Sequence, residues 1–144
     1  MVAYLPHGYS GPEHDQKWVF IMKQGMTAIL DVTPMHLTLS DVHLFQRIHE
    51  TSFIPDGVTV YPYRTGTMVV TEVLATGTPE EKEEKIRAMK AAGFSNELIA
   101  VLRYCAEQGG TLARFDNGSA LELDDFPIFD HETGLEVTAA RLGM

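Results

Sequence analysis

The chain has 144 residues, of which 44% are hydrophobic and 22% charged, a composition typical of one soluble globular domain and not of a disordered or membrane-embedded protein. Its net charge of −9, without a basic stripe, argues against direct binding to a nucleic-acid backbone. No apolar run reaches the roughly 20 residues that cross a bilayer, and residues 1–6 lack the basic start of a secretion signal. We therefore expect a cytoplasmic protein without a membrane or direct nucleic-acid partner.

The first 25 residues are predicted to be an N-terminal extension, partly ordered, in front of a single α+β domain at residues 26–144. Residues 1–16 show no hydrophobic period and are rich in Gly, Pro, His and Tyr, as in an arm that is ordered only by packing. Residues 17–22 are strongly apolar and could add an edge strand.

A strand, a sharp exit and a capped helix follow one another early in the domain. The short, partly β-branched run of residues 28–32 predicts a strand, which Pro34 ends because proline cannot donate to a ladder. Thr38 and Asp41 have the spacing of a capping box, so a helix is expected to begin near Leu39. The predicted inner face of this helix comprises Val42, Phe45 and Ile48, flanked by Leu44.

A β-hairpin is predicted next. Two β-rich runs, residues 58–63 and 67–74, are separated by residues 64–66, short enough for a hairpin loop with Gly66 at positive φ. Pro62 indicates that the first run lies near a sheet edge, because a central strand needs its amide.

Two helices and a last strand are predicted in the second half. Thr78 begins one helix, and Ser95 caps another whose broad apolar stripe includes a buried thiol, Cys105. Residues 111–115 are predicted to be a strand, and residues 135–142 a last strand or short helix. The order of elements predicts a split βαβ fold, in which helices cover one face of an antiparallel sheet in ferredoxin-like order, with the first and last strands central.

Several segments resemble an uncharacterised bacterial family, the domain of unknown function 5983, over roughly residues 26–131. The early match consists of LDV, TPMHLT and the acid in the first helical turn. The later match consists of FSNEL, the helix and glycine pair after it, the strand with Asp116, and DFPIFD. Pro34 and Met35 stand where small residues usually precede the histidine, and His131 stands where an aromatic residue is typical. The family has no established activity, so the resemblance implies a fold and not a function.

His36 is the leading candidate for catalysis. It follows the first strand just before a helix N-terminus, where the helix dipole would lower its pKa and favour the neutral ring. Asp31 could orient this ring. Asp116 leaves the same sheet, although antiparallel strands would place it at the opposite end. The alternative is that His36 only hydrogen-bonds to backbone within its turn.

No metal or cofactor is predicted. The six histidines include no pair of the HExxH type, and the thiol ligands of zinc sites are lacking. The acids of residues 116–125 miss the spacing of an EF-hand loop.

Three functions of different class follow as hypotheses. The favoured one is a non-catalytic interaction module that contacts a protein partner, or a second copy of the chain, through its acidic tail and exposed aromatics. The binding residues predicted for this module are Tyr61, Tyr63 and Phe129. A second hypothesis is a small enzyme that uses His36 with Asp31 or Asp116 as acid and base. A third is an acidic mimic of nucleic acid that inhibits a DNA-binding partner, suggested by the charge alone.

Overall fold

The computed structural model describes residues 28–137, which form a four-stranded sheet and four α-helices. In chain order the elements are β1 (Ile29–Val32), a 3₁₀ turn (Pro34–His36), α1 (Leu39–Thr51), β2 (Val60–Tyr63), β3 (Gly66–Val70), α2 (Glu72–Thr76), α3 (Pro79–Ala92), α4 (Asn96–Glu107) and β4 (Leu112–Asp116). The predicted extension at residues 1–25, its apolar run at residues 17–22, and residues 138–142 of the last predicted element lie outside the described residues.

The sheet is mixed, and the prediction of an antiparallel sheet is wrong. Its strand order is β1-β4-β3-β2, in which β1 and β4 are parallel and the other two pairs are antiparallel. Strand β4 is central, as predicted, but β1 lies at an edge. The predicted arrangement, with both the first and the last strand in the centre, is therefore not the order of this sheet.

The number of helices between β3 and β4 explains why β4 runs parallel to β1 and not antiparallel as predicted. In a split βαβ fold a single helix returns the chain to the opposite end of the sheet before the last strand begins. Here three helices, α2, α3 and α4, lie between β3 and β4, and the Thr71 amide donates to Thr111 O, so β4 begins at the end where β3 finished. Strand β4 therefore runs antiparallel to β3 and parallel to β1.

The second predicted β-run, residues 67–74, is a strand only as far as Val70. Residues Glu72–Thr76 form the short helix α2, which brings Leu74 into the core. Thr71 marks the change, because its side chain donates a hydrogen bond to Gly110 O at 2.8 Å and its amide donates to Thr111 O. These bonds tie the end of β3 to the start of β4.

Gly66 is required by close packing and not by a positive φ, which the structure does not give it. A Cβ at this position would lie 2.3 Å from Phe115 O and 2.8 Å from the hydroxyl oxygen of Tyr63. The hairpin can therefore approach β4 only because position 66 has no side chain.

The helices cover one face of the sheet. Side chains from this face join a single core with apolar side chains of all four helices; the strand residues are Leu30, Val32, Val60, Val69, Ala113 and Phe115. The opposite face, here named the helix-free face, carries no helix of residues 28–137. Its side chains are those of Ile29, Asp31, Tyr61, Tyr63, Met68, Val70, Leu112 and Arg114. Strand alternation thus gives the sheet one core face and one face that the helices leave uncovered.

The predicted capping box of α1 is present and also holds α4. Asp41 is fully buried, and its carboxylate accepts hydrogen bonds from the Thr38 amide at 3.1 Å and the Thr38 hydroxyl at 2.7 Å. The same carboxylate accepts from the amide of Ser95 at 2.9 Å and from its hydroxyl at 2.5 Å. Ser95 in turn caps α4 by accepting from the Leu98 amide. One side chain therefore joins the first turns of two helices.

Asp41→Ala should lower the free energy of unfolding by about 3 kcal/mol, because it leaves the half-buried donors of Thr38 and Ser95 without their acceptor. Glu81→Ala is the matched control, since Glu81 occupies the same capping-box position in α3 but is exposed and contacts no second helix cap. Glu81→Ala should lower the free energy of unfolding by about 0.5–1 kcal/mol. Urea denaturation followed by circular dichroism measures both, and equal losses would contradict the role of Asp41 as a junction.

Candidate functional site

His36 lies in the 3₁₀ turn after β1, with 1% of its surface exposed. The amide of Leu123 donates to its Nε2 at 2.8 Å, so this nitrogen carries no proton. Its Nδ1 lies 2.8 Å from the carbonyl oxygen of Pro127 and must therefore be the donor. The two hydrogen bonds define a single neutral tautomer of the ring.

This environment leaves His36 without a free lone pair or an exchangeable proton directed at solvent. Burial lowers the pKa of His36, while the hydrogen bond to Pro127 and the charge of Glu122 oppose that effect. A general base must reach its substrate with an available nitrogen. The hydrogen bonds therefore favour the alternative that His36 holds backbone, although this backbone belongs to Leu123 and Pro127 and not, as predicted, to its own turn.

The backbone that His36 holds belongs to the 121–131 segment, which lies along the turn of residues 33–37. Besides the two bonds of His36, the Thr33 amide donates to Leu121 O, and the Phe129 amide donates to Met35 O, each at 2.8 Å. The ring of His131 also lies 2.8 Å from Leu37 O through Nε2. The segment is thus fastened to the β1–α1 connection along most of its length.

Asp31 lies on the helix-free face, away from the ring of His36. Its Oδ2 pairs with the Arg114 guanidinium at 2.5 Å, which joins the neighbouring parallel strands β1 and β4. The hydrogen bond to Asp31 raises the pKa of Arg114. The buried atoms Asp31 Oδ1 and Arg114 Nε have no hydrogen-bond partner within residues 28–137, so the pair is incompletely satisfied by this part of the chain. Asp31 thus acts as a cross-strand partner of arginine in this structure.

Asp116 ends β4 and closes the hairpin against it. Its carboxylate accepts hydrogen bonds from the Tyr63 hydroxyl at 2.7 Å, from the Thr65 hydroxyl at 3.1 Å and from the Gly118 amide at 2.7 Å. The hydrogen bond from Tyr63 lowers the pKa of Asp116, and burial raises the pKa of Tyr63. These bonds favour an ionised carboxylate that organises the hairpin.

The predicted set of His36, Asp31 and Asp116 is not joined by hydrogen bonds or ion pairs in residues 28–137. Because β1 and β4 are parallel, Asp116 leaves the sheet at the same end as the turn that carries His36, and not at the opposite end as predicted. Even so, each of the three side chains is engaged by other partners.

The three predicted binding aromatics differ in exposure. Tyr61 on the edge strand β2 is 52% exposed, and Tyr63 is half-buried beside Asp116. Phe129 is buried, with 9% of its surface exposed, so the expectation that it is an exposed aromatic is wrong. Its backbone is fixed on both sides, by the bond to Met35 and by a bridge to Glu136, which places the ring inside the fold.

A pocket of about 410 Å³ lies between α1, the β2–β3 hairpin and the end of β4, and we name it the α1–hairpin pocket. Its lining residues include the buried Leu37, Phe45, Thr67 and Phe115, and the exposed Gln46, His49, Glu50, Arg64 and Asn117. The buried side chains form its floor and the exposed ones its rim. The volume is in the range of small-molecule sites.

The pocket was not predicted from the sequence, although the spacing of residues in α1 indicates one of its walls. Val42, Gln46 and His49 lie on one face of a helix at spacings of four and three, beside Phe45. A stripe that changes from apolar to polar along one helix face is typical of a helix that leaves the core and lines a cleft. The hairpin side of the pocket could not be deduced, because it depends on the mixed sheet.

The single cysteine and the metal ligands give no further site. Cys105 is fully buried, and burial raises the pKa of its thiol to about 11, so it is a poor nucleophile. Among the residues described, no group of three or more His, Cys, Asp or Glu side chains could hold a metal ion. No helix between residues 28 and 137 is long and apolar enough to span a bilayer.

Fold and site together define a small α+β domain with a mixed four-stranded sheet, one helix-covered face and a pocket at one end of the sheet. The family model described as the C-terminal domain of a family of unknown function, DUF5983, matches residues 29–131. The chain therefore belongs to this family, and the resemblance seen in its sequence is confirmed. No curated protein and no solved structure matches the chain.

His36→Ala should lower the free energy of unfolding by about 3 kcal/mol, because it leaves the Leu123 amide and the Pro127 carbonyl buried without partners. The control is His43→Ala, an exposed histidine of α1, which should change stability by no more than about 0.5 kcal/mol. Denaturation in urea measures both variants. Equal stability of the two would show that the hydrogen bonds of His36 do not hold the 121–131 segment.

The lowered pKa of His36 also predicts a pH dependence of stability. Below the ordinary value of 6.5 the unfolded chain takes up a proton that the folded ring resists, so stability falls as the pH falls. The loss should reach at most about 1.4 kcal/mol per pH unit until the folded ring itself protonates. His36→Asn should remove this component, so its free energy of unfolding should change less between pH 7.5 and 5.5. Identical pH profiles of the two proteins would contradict the assignment.

Proposed function

We propose that this protein is a non-catalytic protein-interaction module whose contact surface is the helix-free face. The observation that carries the proposal is the middle row of this face, in which Arg114, Met68 and Tyr61 lie side by side on β4, β3 and β2. Tyrosine, methionine and arginine are the residue types enriched at protein interfaces. Tyr61 is also 52% exposed, so it can be buried by a partner.

The edge of β2 is unsuited to pairing with an added strand, which favours binding of a partner to the helix-free face. The Val70 amide donates to Thr59 O, and Val60 is paired with Val69, so the backbone nitrogen of Pro62 points away from β3. Proline offers no donor to an added strand, and such a residue is a common protection of sheet edges. A partner would therefore bind side chains of the helix-free face.

Two observations favour the module over the other functions. The engaged ring nitrogens of His36 leave the proposed acid–base catalyst without a free group. The acids of α3 alternate with bases along the same helix, which a mimic of regularly spaced phosphates would not require. The charged residues concerned are Glu80, Glu81, Lys82, Glu83, Glu84, Lys85, Arg87 and Lys90.

Affinity capture by the full chain, with Tyr61→Ala beside the natural protein, tests the proposal. The substitution removes a central aromatic of the face and should weaken the complex about 30-fold, the effect of losing a typical interface hot spot. Phe53→Ala is the matched control, because Phe53 is 70% exposed but lies in the α1–β2 connection. It should leave the captured partner unchanged.

Sedimentation at increasing concentration of the purified chain distinguishes a second copy from a different partner. If the natural chain self-associates and Tyr61→Ala does not, the module is a homodimer through this face. Equal binding by the natural chain and Tyr61→Ala in both experiments would contradict the proposed surface.

A further inference from the structure

The α1–hairpin pocket lies at the end of the sheet where the carboxyl ends of the parallel strands β1 and β4 meet. Small ligands bind preferentially at such ends, since loops diverge there and leave a crevice. The middle row proposed for protein contact, Tyr61, Met68 and Arg114, does not line this pocket, although Tyr63 of the helix-free face does. The pocket is therefore distinct from that row and adjoins the helix-free face at Tyr63.

The floor of the pocket is apolar and aromatic. Phe45 of α1 and Phe115 of β4 have ring centroids 6.4 Å apart, with their planes inclined at 40°. Leu37 lines the floor beside them, and all three side chains are almost fully buried. Such a floor suits a flat ring, which can contact the two phenylalanines through its own π-surface.

Thr67 supplies a polar group in this apolar floor. Its side chain is on the core face of β3, between Phe115 and Pro62 in the sheet, and it is only 9% exposed. Its hydroxyl has no hydrogen-bond partner within residues 28–137. A hydroxyl that opens onto a pocket and has no protein partner is available to hydrogen-bond what enters the pocket. Thr67 thus indicates a ligand with a polar atom at its inner end.

The rim supplies a positive charge. Arg64 lies in the hairpin loop at the mouth of the pocket, and its guanidinium makes no ion pair or hydrogen bond in the part of the chain that the structure describes. His49 and His131 also line the pocket, with Glu50 as the acidic lining residue. The charged lining residues are Arg64 and Glu50, so Arg64 is the positive group that an anionic ligand can use. An arginine without a partner at a pocket mouth is suited to a carboxylate.

We infer that the α1–hairpin pocket binds a small hydroxylated aromatic carboxylate. The ring lies on Phe45 and Phe115, the carboxylate pairs with Arg64 at the rim, and the hydroxyl at the other end of the ring bonds to Thr67. Asn117 and Gln46 flank the mouth and can donate further hydrogen bonds to the carboxylate.

Titration of the full chain with 4-hydroxybenzoate, followed through its backbone amide NMR signals, tests the inference. Benzoate and 4-hydroxybenzamide are the matched probes, since the first lacks the hydroxyl and the second lacks the charge. The natural protein should bind 4-hydroxybenzoate about tenfold more tightly than either, because each probe loses one hydrogen-bonded group. The largest shifts should occur at the amides of Thr67 and Asn117.

Two substitutions test which protein residue binds the carboxylate of the ligand and which binds its hydroxyl. Arg64→Gln should weaken the binding of both carboxylates about tenfold and leave 4-hydroxybenzamide unchanged. Thr67→Val, which keeps the shape of the side chain, should make 4-hydroxybenzoate and benzoate bind equally. Arg87→Gln is the control, because Arg87 is an exposed arginine of α3 that does not line the pocket. The amide spectrum of each variant shows directly whether it is folded.

Three results would overturn the inference. These are the absence of saturable shifts with all probes, shifts confined to the helix-free face, and affinities that do not depend on Arg64 or Thr67. Binding of the carboxylates that depends on Arg64 alone would overturn the assignment of the ring hydroxyl to Thr67. None of these outcomes depends on whether the helix-free face binds a protein.

Discussion

The carboxylate of Asp41 is buried between the first turns of α1 and α4, and its hydrogen bonds come from backbone and hydroxyl groups of Thr38 and Ser95. A buried charge is stable only if its environment replaces the lost hydration. Here the positive ends of two helix dipoles and the donors of both caps provide that replacement. The charge therefore fixes the distance and direction between the two helices. Since α4 contributes more buried side chains to the core than any other helix, the position of α4 on the sheet depends on this contact.

A second non-local contact completes the same side of the domain. The neutral ring of His36 joins the β1–α1 turn to the 121–131 segment through the Leu123 amide and the Pro127 carbonyl. Burial keeps the ring neutral, and neutrality is required because Nε2 must accept. The same histidine would have been available for catalysis if that segment had left it open to solvent. Its fixed tautomer gives this residue, in a position typical of active sites, a structural role in the fold.

The sequence predicts the parts of this fold that depend on near neighbours. The capping box at Thr38, the helix start at Thr78, the cap at Ser95 and the edge position of Pro62 are all present, because a few residues determine each of them. The direction of β4 is different, since it depends on how the three helices after β3 return the chain to the sheet. The burial of Phe129 is likewise outside what near neighbours determine. Its burial depends on a bond to Met35, which is distant in sequence and which no local pattern reveals.

The pocket also depends on contacts between distant segments, and β3 shows how it can coexist with the proposed interaction surface. Alternation places Thr67 of this strand on the core side, where it lines the pocket, and Met68 on the helix-free face. One strand thus serves two surfaces with different side chains. A substitution at Tyr61 changes the face without touching the pocket lining, and one at Arg64 changes the pocket rim without touching the middle row of the face. The two proposed binding properties are therefore separable by single substitutions in the same hairpin.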